Sequence, residues 1–174
     1  MTAPFREQFV GLFDAYFPRL FRYLDRLSGD PDLAADLAQE AFVRLHARGS
    51  LPGTPEGWLV TVAMNLFRNH RNMRARRRRL MTVARAESVL ADPPASPGGL
   101  AVATDEREHV RAALDGLPER EREMLLLHAE GYKYREIAVA LEVSEASVGT
   151  MLARAKRAFR EAWERTPGAS RASR

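Results

Sequence analysis

The sequence holds no cysteine among its 174 residues. That excludes disulfides, thiolate metal sites and cysteine nucleophiles, and it fits a reducing compartment. It also lacks any run approaching the roughly 20 apolar residues that a membrane span needs. The stretch from Met1 to Phe17 carries Arg6, Glu7 and Asp14, so it reads as neither a signal peptide nor a span. A cytoplasmic protein that makes no membrane contact of its own is expected. Catalytic signals are missing as well. His46, His70, His109 and His128 are scattered without metal-ligand spacing, and no P-loop or dinucleotide fingerprint occurs. The chain is therefore not expected to be an enzyme, nor to carry a cofactor or metal.

What is present favours a folded helical protein. With 45 % hydrophobic and 29 % charged residues, a globular core is attainable. Strand signals are weak, whereas long stretches place apolar residues at helical spacing, punctuated by Pro, Gly and Asp. The fold class is read as all-α. Net charge is only +4, but seven arginines fall between Leu66 and Arg79 with no acidic residue among them. Charge this localised points to a polyanion partner.

The first helical stretch is expected from about Phe5 to Leu27, with Phe9, Phe13, Tyr16, Leu20, Leu24 and Leu27 on one apolar stripe. Pro18 should kink it or begin a second helix, and Ser28-Gly29 should end it. Asp30 reads as an N-cap with Pro31 at the first position of a helix reaching about Arg48. Gly49 to Gly57 is a loop, and a long helix follows from about Trp58 into the arginine run. Ala91 to Gly99 (ADPPASPGG) has the composition of a linker. A second helical block, from near Thr104 to about Arg165, should divide at Gly116-Leu117-Pro118, at Gly131 and between Leu141 and Ser144. The organisation expected is two small helical domains, 5–80 and 105–165, joined by a flexible linker over 81–104 and followed by a disordered tail, 166–174.

In the second block, Tyr134-Arg-Glu-Ile-Ala-Val-Ala-Leu-Glu-Val-Ser144 and the following Glu145-Ala-Ser-Val148 have helix-turn-helix spacing. Ala138 supplies the small residue such a crossing needs, and Ile137, Leu141, Val143 and Val148 supply apolar contacts. Ser144 is a natural N-cap. Val148, Leu152, Ala155, Phe159 and Trp163 form the inner face of the last helix. Its other face shows Ser147, Thr150, Arg154 and Arg157, groups suited to phosphates and base edges. Glu142 stands where such turns often carry Gly. An ordinary helical hairpin with a basic solvated face is the alternative.

In the first block, Leu33, Leu37, Ala41 and Leu45 should be buried, with Asp36, Gln39, Glu40 and Val43 together on the opposite side. On the next helix, Leu59, Val62, Leu66 and Met73 are expected as an inner stripe, and Thr61, Asn65, Arg68, Arg71 and Asn72 should lie largely opposite. Arginine mixed with amides and nearby aromatics is the chemistry that duplex and single-stranded DNA require. A basic solvated helix, or a localisation-type patch at Arg76 to Arg79, is the plainer reading.

Taken together, these features resemble the extracytoplasmic-function (ECF) group of bacterial sigma factors, within the sigma-70 family. The resemblance runs from about Phe9 to Trp163. Asp36-Leu-Ala-Gln-Glu-Ala-Phe42 is similar to the polymerase-binding motif of domain sigma-2. Trp58-Leu-Val-Thr-Val-Ala-Met-Asn65 with the arginines after it resembles the promoter-melting helix. Leu117-Pro118 resembles the start of domain sigma-4, and Tyr134 to Ala155 its helix-turn-helix.

The resemblance implies a sigma factor that binds core RNA polymerase and directs initiation at particular promoters. Asp36, Gln39, Glu40 and Val43 would meet the clamp coiled coil of the β′ subunit, and sigma-4 would touch the β flap. Trp58, Thr61, Asn65, Arg68, Asn69, Arg71 and Asn72, with the 49–57 loop, would open and hold the minus-10 element. Ser144, Glu145, Ser147, Thr150, Arg154 and Arg157 would meet the minus-35 element. An anti-sigma partner is also implied, and no further regulatory domain is expected after Arg174. Two positions depart from the family pattern: Asn69, where an acidic residue is frequent, and Gly149, where Lys or Arg is. A stand-alone helix-turn-helix regulator would explain only the second block. An RNA-binding or architectural basic protein would explain only Arg68 to Arg79.

Overall fold

The structure, a computed structural model, describes residues 3–85 and 101–165, with side chains over 5–80 and 108–165. Of the expected 81–104 linker, only helical backbone at its two ends is described, and the expected tail at 166–174 lies outside the described residues. Among the described residues there are seven α-helices and no strand. No helix among them is long and apolar enough to cross a membrane.

Helix α1 (Ala3–Ser28) runs through Pro18 as one element. Proline inside a helix removes one hydrogen bond, at a cost of about 3 kcal/mol. Side chains that pack on both sides of it, Phe13 and Phe17 before and Leu20, Tyr23 and Leu24 after, hold the axis together. Gly29, at φ +68°, ends the helix, and its N–H donates to the Asp25 carbonyl at 2.7 Å. Helix α2 (Pro31–Arg48) opens as its sequence requires. Asp30 Oδ1 accepts the Leu33 N–H at 3.1 Å, with Pro31 at the first helical position. Helix α3 (Pro55–Arg85) begins three residues earlier than Trp58, again on a proline.

The second block contains α4 (Ala101–Asp115), α5 (Glu119–Ala129), α6 (Tyr134–Leu141) and α7 (Glu145–Arg165), with breaks at the three expected places. The α5–α6 turn rests on Gly131 at φ +79°. The α6–α7 turn rests on Glu142 at φ 53°, ψ 49°, a left-handed conformation on a non-glycine residue.

The two blocks share one core. Leu20, Tyr23 and Leu24 of α1, Phe42 and Leu45 of α2 and Val60 and Met64 of α3 belong to the same buried cluster as Met124, Leu127, Ile137 and Leu152 of the second block. A satellite cluster of Ala113, Leu117 and Ala162 lies under Phe159 and Trp163, where the His109 ring meets Trp163 edge-on at 4.0 Å.

One expected core position is wrong. Met73 is 68 % exposed. The buried face of α3 is Leu59, Val60, Ala63, Met64 and Phe67, with Val62 and Leu66 only partly covered. That face is turned by about one residue from the expected stripe, and from Arg71 to Leu80 every residue is exposed. Past Phe67 the helix no longer lies against the core, so apolar spacing there has no inside to report.

Candidate functional site

The α2 stripe forms as its spacing demands. Ala34, Leu37, Ala38, Ala41, Phe42 and Leu45 are buried, which turns Asp36, Gln39 and Val43 to solvent, with Glu40 at the edge. Val43 is 59 % exposed beside these acidic groups. Glu40 engages Arg44 one turn on, at 2.8 Å. A surface pair of this kind adds little stability, so both groups can exchange it for a partner at small cost.

Helices α6 and α7 form the helix-turn-helix. Ile137, Ala138, Leu141 and Val148 are buried at the crossing, and the Ser144 hydroxyl caps α7 by accepting the Ser147 N–H at 3.3 Å. The two serine hydroxyls lie 2.5 Å apart. Ser144, Glu145, Thr150, Arg154 and Arg157 are exposed and Ser147 is partly so. Arg154 reaches back to Glu121 of α5 at 2.9 Å. A side chain at Gly149 would meet only Tyr134 Cε2, at an ordinary 3.6 Å, so the missing side chain there is no steric requirement.

The basic face of α3 is occupied. Asn65, Asn69 and Asn72 are exposed and Trp58 packs partly against the core. The Thr61 hydroxyl donates to the Gly57 carbonyl at 2.8 Å. Arg68 Nη2 donates to both Glu123 oxygens at 3.0 Å, and Arg71 Nη1 donates to Glu119 Oε1 at 2.7 Å. The two arginines expected to carry phosphates are thus held by carboxylates of α5. Glu123 is buried, at 2 % exposure. Burial pushes its carboxyl above the usual glutamate range, while Arg68 pulls the other way.

Sequence reasoning missed the residues that join the blocks. Arg19 Nε donates to the Glu130 carbonyl at 2.7 Å, and its guanidinium lies 4.0 Å from the Tyr132 ring centre and 3.7 Å from Glu136. Arg22 and Arg26 pair with the Glu130 carboxylate at 3.0 and 2.8 Å. Their i, i+3, i+4, i+7 spacing on α1 is a visible signal. The partners, more than 100 residues away, are not. Tyr132 is buried against Tyr23, and desolvation holds both hydroxyls well above the usual tyrosine range. No cluster of histidine, aspartate and glutamate suited to a metal occurs among the described residues.

Two family models match, in chain order: Sigma-70 region 2 over residues 12–79 and Sigma-70 region 4 over 107–159. The ECF RNA polymerase sigma factor EcfG of Rhodopseudomonas palustris is 38 % identical over 148 residues, covering 83 % of this chain and 77 % of that protein. The chain belongs to the ECF RNA polymerase sigma factors. A second relative, the ECF sigma factor SigE of Mycolicibacterium smegmatis, is 34 % identical over 82 % of this chain and 56 % of its own length; the chain thus spans little more than half of that relative. The sigma factor RpoE of Bartonella quintana, solved with the anti-sigma factor NepR, shares the fold at a TM-score of 0.63 and 23 % identity, over 91 % of this chain and 98 % of that one. As an ECF sigma factor, the chain carries the α2 stripe and the α3 basic face within its region 2 match and the helix-turn-helix within its region 4 match.

Proposed function

We propose that this chain is an alternative sigma factor of the cytoplasm that binds core RNA polymerase and directs initiation at promoters with its own minus-35 and minus-10 elements. Residues 5–80 form the sigma-2 domain, 81–104 the linker, 105–165 the sigma-4 domain and 166–174 a tail. Asp36, Gln39, Glu40 and Val43 meet the β′ clamp coiled coil. Trp58, Thr61, Asn65, Arg68, Asn69, Arg71 and Asn72 handle the minus-10 strand. Ser144, Glu145, Ser147, Thr150, Arg154 and Arg157 read the minus-35 duplex, while sigma-4 also touches the β flap. The chain supplies recognition and strand separation and leaves catalysis to the polymerase. An anti-sigma protein, such as the one bound to the Bartonella quintana relative, is its expected inhibitor.

The observation that carries this reading is the α2 stripe. A solvated acidic face with an exposed valine at its centre has no use in a stand-alone DNA-binding regulator. It suits a protein partner. Runoff transcription of genomic fragments with purified core polymerase tests it. New discrete starts that depend on the chain are expected. Specific, tight binding of the chain alone to duplex DNA, with no transcripts, would favour the stand-alone regulator.

A further inference from the structure

The minus-10 face of α3 is covered by the chain itself. Arg68 and Arg71 are the α3 arginines nearest the body, and each is held by a carboxylate of α5: Glu123 at 3.0 Å and Glu119 at 2.7 Å. Carboxylate and phosphate compete for the same guanidinium donors in the same geometry. Helix α6 closes the N-terminal end of this face. A Cβ built on Gly57 would lie 2.9 Å from Val139 Cβ and 3.0 Å from the Glu136 carbonyl, and Thr61 Oγ1 lies 3.5 Å from the Val139 carbonyl. Between these contacts only a polar cleft of about 300 Å³ remains, with Thr61, Asn65 and Arg68 on one wall and Glu119 and Glu123 on the other. On the far side, Arg19, Arg22 and Arg26 of α1 fasten the α5–α6 turn through Glu130 and Glu136. The cover is selective. Asp36, Gln39 and Val43 on α2 and Thr150, Arg154 and Arg157 on α7 stay exposed.

We propose that α5 and α6 form a built-in cover over the minus-10 face, latched by Arg68–Glu123 and Arg71–Glu119, which keeps the free chain from single-stranded DNA until polymerase binding draws the two blocks apart. This rests on the sigma-factor reading above and adds a closed, self-inhibited state to it. The latch residues face in opposite directions in the two states: the arginines meet carboxylates when closed and phosphates when open. Binding of the strand is then reduced by the fraction of molecules that are open.

The absence of cysteine in the chain makes a direct test possible. In the full-length chain, the pair Gly57→Cys with Val139→Cys places two thiols at the tightest point of the cover. Its Cβ separation needs relaxation of about 1 Å to reach disulfide geometry. Mild oxidation of the free protein should give an intramolecular disulfide. The oxidised form should bind core polymerase as the reduced form does, but bind a fluorescein-labelled single-stranded oligodeoxynucleotide at least roughly tenfold more weakly, with reductant restoring binding. As a second variant, Glu119→Lys with Glu123→Gln, shown folded by circular dichroism, should bind the same oligonucleotide about tenfold more tightly than the wild type. Failure of the disulfide to form, equal oligonucleotide binding by oxidised and reduced protein, or wild-type affinity in the folded Glu119/Glu123 variant would each overturn the latch. If those results came with normal polymerase binding, the latch alone would fall. A wild-type chain that does not bind core polymerase overturns the sigma-factor reading and the latch with it.

Discussion

Glu142 sits at φ 53° and ψ 49° in the turn of the helix-turn-helix, where a Cβ is crowded by the following carbonyl at a cost of about 1–2 kcal/mol. Glycine removes that crowding but loses more backbone freedom on folding. Glu142→Gly should therefore stabilise the chain by about 0.5–1 kcal/mol, a rise of roughly 2–4 °C in thermal midpoint for a chain of this size. An unchanged midpoint would mean that the Glu142 side chain returns what the backbone loses. Glu123 is a second residue whose environment makes a measurable statement. Its raised pKa, caused first by burial, means that the folded chain holds this proton more tightly than the unfolded chain. Its contribution to stability is full at low pH and is lost as pH rises through the folded value. Glu123→Gln has no such proton, so its thermal midpoint should gain on the wild type as pH goes from about 4 to neutral. A midpoint difference that stays flat over that range would count against the shift.

At the scale of the element, α2 shows how a helix can be committed on both faces by one short segment. The alanines and Leu37, Phe42 and Leu45 inside fix which residues must lie outside. Since Asp36 and Gln39 are exposed and Glu40 pairs only with the exposed Arg44, charge reversal there disturbs no buried group. Asp36→Arg combined with Glu40→Arg should leave helicity and thermal midpoint within about 0.5 kcal/mol of wild type while abolishing co-purification with core polymerase. Undiminished co-purification by the reversed protein would remove α2 from the polymerase interface. Helix α3 teaches the opposite lesson. Met73 continues an apolar spacing that ends, in physical terms, at Phe67, because the core ends there. Periodicity reports a buried face only where something is present to bury it. Pro18 is comparable. Its ring argues for a break, but aromatic and aliphatic packing on either side of it keeps α1 in one piece.

For the whole molecule, the two helical blocks are not independent readers of DNA in the closed state. Arg68 and Arg71 serve both the cover and the strand, so their removal should act in opposite directions at different stages. In the holoenzyme, Arg68→Ala or Arg71→Ala should reduce promoter opening in permanganate footprints. Each should also lower the salt slope of promoter binding by about one, the value of one phosphate contact. Opening that is unchanged in both variants would take α3 out of the melting site. In the free chain, the same substitutions remove one latch pair each and should loosen the packing of α3 on α5.

The sequence by itself determined every helix boundary that rests on local chemistry. Asp30 and Ser144 cap because their oxygens reach an N–H three residues on, and Gly29 and Gly131 end helices because positive φ suits them. It also determined the outward faces of α2 and α7, since a 3.6-residue period with a filled inner face leaves the other residues nowhere else to go. Only the tertiary structure decided how the blocks meet. Arg19 to Glu130, Arg68 to Glu123 and Gly57 to Val139 are separated by 111, 55 and 82 residues respectively, and no local pattern encodes which arginine finds which carboxylate. Charge pairing and burial at that distance depend on where the chain has already brought each surface, which is why the basic face was legible as basic but not as covered.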